Sequence, residues 1–129
     1  MARPHKRYQK PGTSPGTLRP PDVARTEKVT VTVMDYTPES VFEKEVASVE
    51  EAFPLRDRAS VTWINVSGLQ DIDLLQKLGN HFRLHPLALE DVLNVGQRPK
   101  MEDYEDHYFI VMKDVRLETH FQPEQISIF

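Results

Sequence analysis

The chain has 129 residues, no cysteine and a net charge of -4 at neutral pH. The length suits one domain able to bury roughly two-thirds of its unfolded surface, and the lack of cysteine excludes disulfides, thiolate metal sites and cysteine nucleophiles. The charge is uneven: the first 28 residues carry seven basic and two acidic side chains and the remainder sums to -9, a sign that argues against nucleic acid as a partner and is compatible with cations.

Residues 1–27 are rich in Pro, Gly, Ser, Thr and basic side chains and have no apolar period, so they read as a disordered arm. Such an arm is either a solvated tail or a contact with anionic lipid or a neighbouring subunit. Order is expected from residue 28 to the end. Val29, Val31 and Val33 alternate with Thr30, Thr32 and Met34, the period of a strand. Residues 36–40 are a turn by composition, and residues 41–46 a second short strand. Residues 48–55 read as a short helix with Ser48 as its N-cap and Glu51 three places on, closed by Pro54 and Arg56-Asp-Arg58.

Residues 61–66 are apolar on both faces apart from Asn65, which predicts a central strand covered by helices, with Trp63 in the core and the Asn65 amide tying a loop. Residues 71–84 are amphipathic, with Ile72, Leu75, Gly79 and Phe82 on one stripe. The residue before Pro86 is pushed out of helical geometry, so that helix ends by His85, and Pro86 then opens a new one reaching about Val95, stopped by Gly96. Residues 100–104 and 107–117 read as two strands around Glu105 and Asp106. Residues 125–129 begin another strand and stop inside an apolar run, so the natural chain is expected to continue. The pattern predicts an α/β fold, a layered sandwich with a mixed β-sheet flanked by helices. No run approaches the ~20 apolar residues of a membrane helix, and the N-terminus lacks the apolar stretch of a signal peptide, so these residues read as a soluble piece.

Among residues that could carry chemistry, Glu90 and Asp91 come first. They sit mid-helix among apolar neighbours, and adjacent helix positions point about 100° apart. They therefore cannot chelate one ion as a tight pair. They either lie on a solvated face or serve two partners across an interface, where carboxylates suit a hard cation such as Mg²⁺. His81 and His85 have the i, i+4 spacing of a zinc pair, but Pro86 takes His85 out of the helix, which leaves His81 on the surface and His85 as an N-cap-like residue. The run Glu102 to Asp106 carries four carboxylates in five residues, as a cation site, an acid/base pair with His107, or a charged hairpin tip balanced by Arg98 and Lys100. Phosphate-binding, nucleophile-elbow and H-E-x-x-H motifs are absent from the sequence, and an enzyme is not expected.

Three segments together resemble the CorA family of magnesium and cobalt transporters: Thr62-Trp-Ile-Asn-Val-Ser-Gly68, His85-Pro-Leu-Ala-Leu-Glu-Asp-Val-Leu-Asn94 and Gln97-Arg-Pro-Lys-Met-Glu-Asp-Tyr104. The strand at residues 107–113 fits as well, and Pro15-Gly-Thr17 is a fainter echo. The resemblance implies the N-terminal cytosolic domain of such a transporter, at the inner face of the cell membrane. It implies assembly into a homopentamer and a continuation into a stalk helix and two membrane helices with a Gly-Met-Asn signature. It also implies that Glu90 and Asp91 bind regulatory Mg²⁺, or Co²⁺, between neighbouring subunits, with partner carboxylates beyond Phe129. Taken alone, these residues are then expected to bind Mg²⁺ poorly and to be monomeric. Two alternatives remain on the same fold: a zinc transporter of the same superfamily and an interaction module that senses no ion. A metal-dependent hydrolase using residues 102–106 is a third, and it would need a nucleophile-activating base, for which only His107 is near.

Overall fold

The computed structural model describes residues 13–19, 28–117 and 121–129. The chain divides into two compact units, Pro20–Leu84 on one side and His85–Phe129 together with Met1–Arg19 on the other.

The first unit contains β1 (Thr30–Tyr36), β2 (Val41–Val46), a 3-10 helix (Val49–Asp57), β3 (Val61–Ser67) and α1 (Ile72–Phe82). The turn joining β1 to β2 is closed by Thr37, whose amide donates to the Ser40 carbonyl at 2.9 Å and whose hydroxyl accepts from the amides of Glu39 and Ser40. The strands are ordered β2-β1-β3, and both pairings are antiparallel. Strand alternation puts Val31, Val33 and Asp35 on one face of β1. Val33 packs there with Ala52 and Leu55 of the 3-10 helix, with Val46 and Ile64 against them. Asp35 is the one buried charge among the described residues; it accepts hydrogen bonds from the hydroxyls of Ser60 (2.7 Å) and Thr62 (2.8 Å), with the Arg58 guanidinium at 3.9 Å. Those two hydroxyls, with Arg58 behind them, hold its carboxyl below the usual range.

Several expectations change here. Ser48 and Glu51 occupy the anticipated N-cap and third position, and Glu51 accepts from the amides of Ala47 and Ser48. The helix, however, is 3-10; it contains Pro54 and closes at Arg58, within the expected stretch, the Arg58 amide donating to the Leu55 carbonyl. Strand β3 lies at an edge of its sheet, because β1 takes the middle position. Trp63 is 53% exposed and Asn65 is exposed, so neither is in the core. An apolar-rich strand reads as doubly covered from its composition alone, yet only the face carrying Ile64 packs on the core and the face carrying Trp63 and Asn65 is open.

Helix α1 starts at Asp71, whose carboxylate accepts from the Leu74 amide at 2.9 Å, and ends at Arg83 in the left-handed region (φ 58°). That conformation costs a non-glycine residue roughly 1 kcal/mol. It is offset by the Leu84 amide, which donates to the Gly79 carbonyl at 2.9 Å. His81 stacks flat on Phe53 with ring centroids 3.9 Å apart and is half-buried, in place of the surface position expected.

The second unit contains α2 (Pro86–Leu93), β4 (Lys100–Tyr104), β5 (His107–Leu117) and β6 (Phe121–Ile128), a meander in the order β4-β5-β6 with antiparallel pairings. The two-residue turn at Glu105 and Asp106 sets Tyr104 opposite His107, as the sequence predicts. Phe109 and Val111 of β5 are fully buried, as is Ala88 of α2, and Phe129 stacks on Phe109 at 4.8 Å.

The α/β class therefore stands, with one correction: each sheet is wholly antiparallel rather than mixed. The hairpins that join β1 to β2 and β4 to β5 are too short for the crossover that a parallel pairing requires. Of the arm expected at residues 1–27, residues 13–19 are described and form a turn in which the Thr17 amide and hydroxyl both donate to the Ser14 carbonyl. The remainder of that expectation lies outside the described residues. Among the described residues, no helix is long and apolar enough to cross a membrane.

Candidate functional site

Helix α2 carries both candidate carboxylates. It begins where the sequence predicts: Pro86 takes the first helical position, and the His85 ring accepts the Leu87 amide through Nδ1 at 3.2 Å. Ala88, Leu89, Val92 and Leu93 are buried, which fixes the rotation of the helix and leaves Glu90 and Asp91 half-buried. Their side chains go to different partners, as positions about 100° apart require.

Glu90 turns to the N-terminal segment. Its Oε2 accepts the Gly16 amide at 2.7 Å, a contact spanning 74 positions of sequence. Gly16 sits at φ +80°, and a Cβ there would come within 3.1 Å of the Pro86 Cβ, so the turn needs a residue without a side chain. This turn contains the Pro15-Gly-Thr17 echo noted in the sequence.

Asp91 turns to β4. Its Oδ1 accepts the Gln97 side-chain amide, and its Oδ2 accepts the Lys100 ammonium. The carbonyl of Asp91 is also met by the Gln125 side-chain amide at 3.4 Å. Lys100 bridges onward to Glu102 Oε1 at 2.7 Å, and the Tyr104 hydroxyl donates to Glu102 Oε2 at 3.1 Å. The Lys100 ammonium lies 5.3 Å from the Phe109 ring centroid, so an aromatic face supports it from a further side. The side chains of Asp91 and Lys100 are 29% and 27% exposed, an ion pair neither free in water nor sealed from it. Burial draws the Lys100 pKa down, but the hydrogen bonds to Asp91 and Glu102 outweigh it and raise the value above the ordinary 10.5. For Tyr104, burial and then the Glu102 carboxylate hold the hydroxyl neutral and raise its pKa. Two carboxylates and one ammonium leave this cluster with one net negative charge.

The acidic run at residues 102–106 does not converge. Strand alternation sends Asp103 to the solvent side while Glu102 faces Lys100; Glu105 is exposed at the turn, and Asp106 pairs with His107 at 2.6 Å. Among the described residues, no group of three or more His, Asp or Glu is set to hold a metal ion. His81 and His85 serve as a stacking ring and a helix cap. The donor chemistry of Glu90 and Asp91 nevertheless fits a hard cation: both present carboxylate oxygens, and those of Asp91 already hold a positive charge. Sequence reasoning placed Lys100 beside the acidic run only as a charge balance and missed its bond to Asp91. The spacing offered one signal, a Lys nine positions beyond the helix carboxylate, opening a strand after a proline.

The sequence matches the family described as "CorA-like Mg2+ transporter protein" over residues 58–129. It is 40% identical over 122 residues to the "Cobalt/magnesium transport protein CorA" of Thermotoga maritima, a match covering 92% of this chain and 34% of that protein. A protein of Bacillus subtilis with a metal-ion-transporter name, YfjQ, is 34% identical over 67 residues, covering 52% of this chain and 20% of its own length. The chain thus spans about a third or less of the relatives it matches. The matched family segment includes all of α2 and its partners on β4.

Proposed function

This chain belongs to the CorA-like Mg²⁺ transporter family, and on that premise we propose that it is the cytosolic regulatory part of a Mg²⁺/Co²⁺ transporter, gating transport by binding divalent cations between subunits of a homopentamer at the inner membrane face. The observation that carries this reading is the divergence of Glu90 and Asp91: two adjacent carboxylates on one buried helix reach two different sets of donors, one of them a cation. A divalent ion at such a position offsets the repulsion between acidic subunits and favours the closed ring. A site half-filled at resting Mg²⁺ stabilises the bound state by about 0.4 kcal/mol. Summed around a pentameric ring this reaches roughly 2 kcal/mol, about thirtyfold in a gating equilibrium. Weak sites therefore suffice to sense an abundant ion.

In this reading each site takes carboxylates from two subunits, so this chain on its own binds Mg²⁺ weakly. The test is Mg²⁺ uptake by liposomes carrying the full-length protein. Asp91→Asn raises uptake at high internal Mg²⁺, where the unaltered protein is inhibited; unchanged inhibition in that variant ends the assignment. The engagement of Asp91 by Lys100 favours one second reading, in which these carboxylates only brace the fold and the chain is an interaction module. In that case Asp91→Asn lowers stability without altering the response to Mg²⁺.

A further inference from the structure

We propose that Lys100 is a built-in counter-cation for Asp91, whose ammonium a divalent ion must displace, so that Lys100 sets how much divalent cation the Asp91 site requires. The inference rests on the sensor reading above and adds to it a residue of this chain that opposes the ion. The ammonium occupies Asp91 Oδ2, one of the two oxygens a cation would take, while Gln97 holds the other. Lys100 is not a drifting surface side chain: it is 27% exposed, bonded also to Glu102 at 2.7 Å and backed by the Phe109 ring at 5.3 Å. Glu102 gives the ammonium a place to remain when Asp91 lets it go, so displacement does not strand a buried charge. A divalent ion exceeds the single charge of the ammonium and can accept more oxygens at once, which allows it to win at sufficient concentration.

The magnitude follows from occupancy. Apparent affinity falls by the fraction of time the binding-competent state is free; if Lys100 holds Asp91 about nine-tenths of the time, removing it tightens binding about tenfold. The experiment is titration calorimetry of the full-length protein with MgCl₂, paired with melting curves with and without Mg²⁺. Lys100→Met is expected to bind Mg²⁺ about tenfold more tightly and to gain more thermal stability from Mg²⁺ than the unaltered protein does. Lys100→Gln, which keeps a donor for Asp91 without the charge, is the second variant should the methionine fail to fold, and is expected to tighten binding in the same direction. Lys44→Met removes a positive charge from the other unit, one bonded to Glu51, and is expected to leave affinity unchanged. The gain from Lys100→Met disappears in the Asp91→Asn background. A gain that persists there, or one reproduced by Lys44→Met, marks a general charge effect and overturns the inference. If Asp91→Asn weakens binding while Lys100→Met and Lys100→Gln leave it unchanged, the inference fails and the sensor reading stands. If Asp91→Asn itself changes nothing, both fall.

Discussion

The two units use the same materials, a three-stranded antiparallel sheet with helical cover, and dispose of their charges in opposite ways. In the unit of residues 20–84 two ion pairs are open to water, Lys44 with Glu51 and Lys77 with Glu50, whose side chains are 39–54% exposed, while the buried Asp35 is held by the hydroxyls of Ser60 and Thr62 with Arg58 at 3.9 Å. Exposed pairs of this kind contribute little to stability, and each carboxylate is satisfied by an element it already packs beside. In the unit containing α2 both helix carboxylates are engaged at half-buried positions, Asp91 by the Lys100 ammonium nine residues on and Glu90 by the Gly16 amide 74 positions away. The first arrangement leaves its paired charges in water. The second holds a carboxylate and its ammonium partner partly out of it.

The largest expected effect sharpens this comparison at the core. Phe109 is fully buried and supports Lys100, so Phe109→Ala should cost about 3–5 kcal/mol in urea unfolding. It should also loosen the Asp91 pair, whereas a loss under 1 kcal/mol would mean the ring is not the unit's keystone. Next comes Gly16→Ala. The positive φ and the 3.1 Å approach to Pro86 should cost about 1–3 kcal/mol locally. It should speed hydrogen exchange at the amide of residue 16, with little change in residues 30–67; unchanged exchange would separate Glu90 from the N-terminal turn. The smallest effect is in acid. The Glu50 carboxyl is pulled from 4.5 down to about 2 by Lys77 and then Ser48, and Asp35 and Glu51 are also depressed. Depressed carboxylates contribute stability above their ordinary values and lose it as pH falls through their folded ones. The unit of residues 20–84 should therefore weaken modestly between about pH 4.5 and pH 2, and Lys77→Met should shrink that acid dependence by slightly lowering the melting temperature at pH 7 while leaving it unchanged near pH 2.

What the sequence revealed was local. Ser48, Asp71 and Pro86 mark helix starts because caps act within a few residues, and the Glu105–Asp106 turn is set by its two flanking strands. The divergence of Glu90 and Asp91 also follows from helix geometry alone. What stayed hidden depends on pairing at a distance. Whether β3 is central or at an edge turns on β1 taking the middle of the sheet, and the exposure of Trp63 turns on which face of that sheet is packed. The docking of Gly16 on Glu90 spans 74 positions, and the reach of Lys100 to Asp91 requires β4 to lie beside α2. Composition marked residues 102–106 as one acidic cluster, but strand alternation separates them.

The central claim is that Asp91 takes part in binding a regulatory divalent cation. Its most direct test is limited proteolysis of the full-length protein across a Mg²⁺ series, unaltered and with Asp91→Asn. The account predicts that Mg²⁺ protects the unaltered protein and that the variant needs about tenfold more Mg²⁺ for the same protection, the loss of one charged ligand contact being worth at least about 1.4 kcal/mol. Identical protection curves for the two proteins would contradict it.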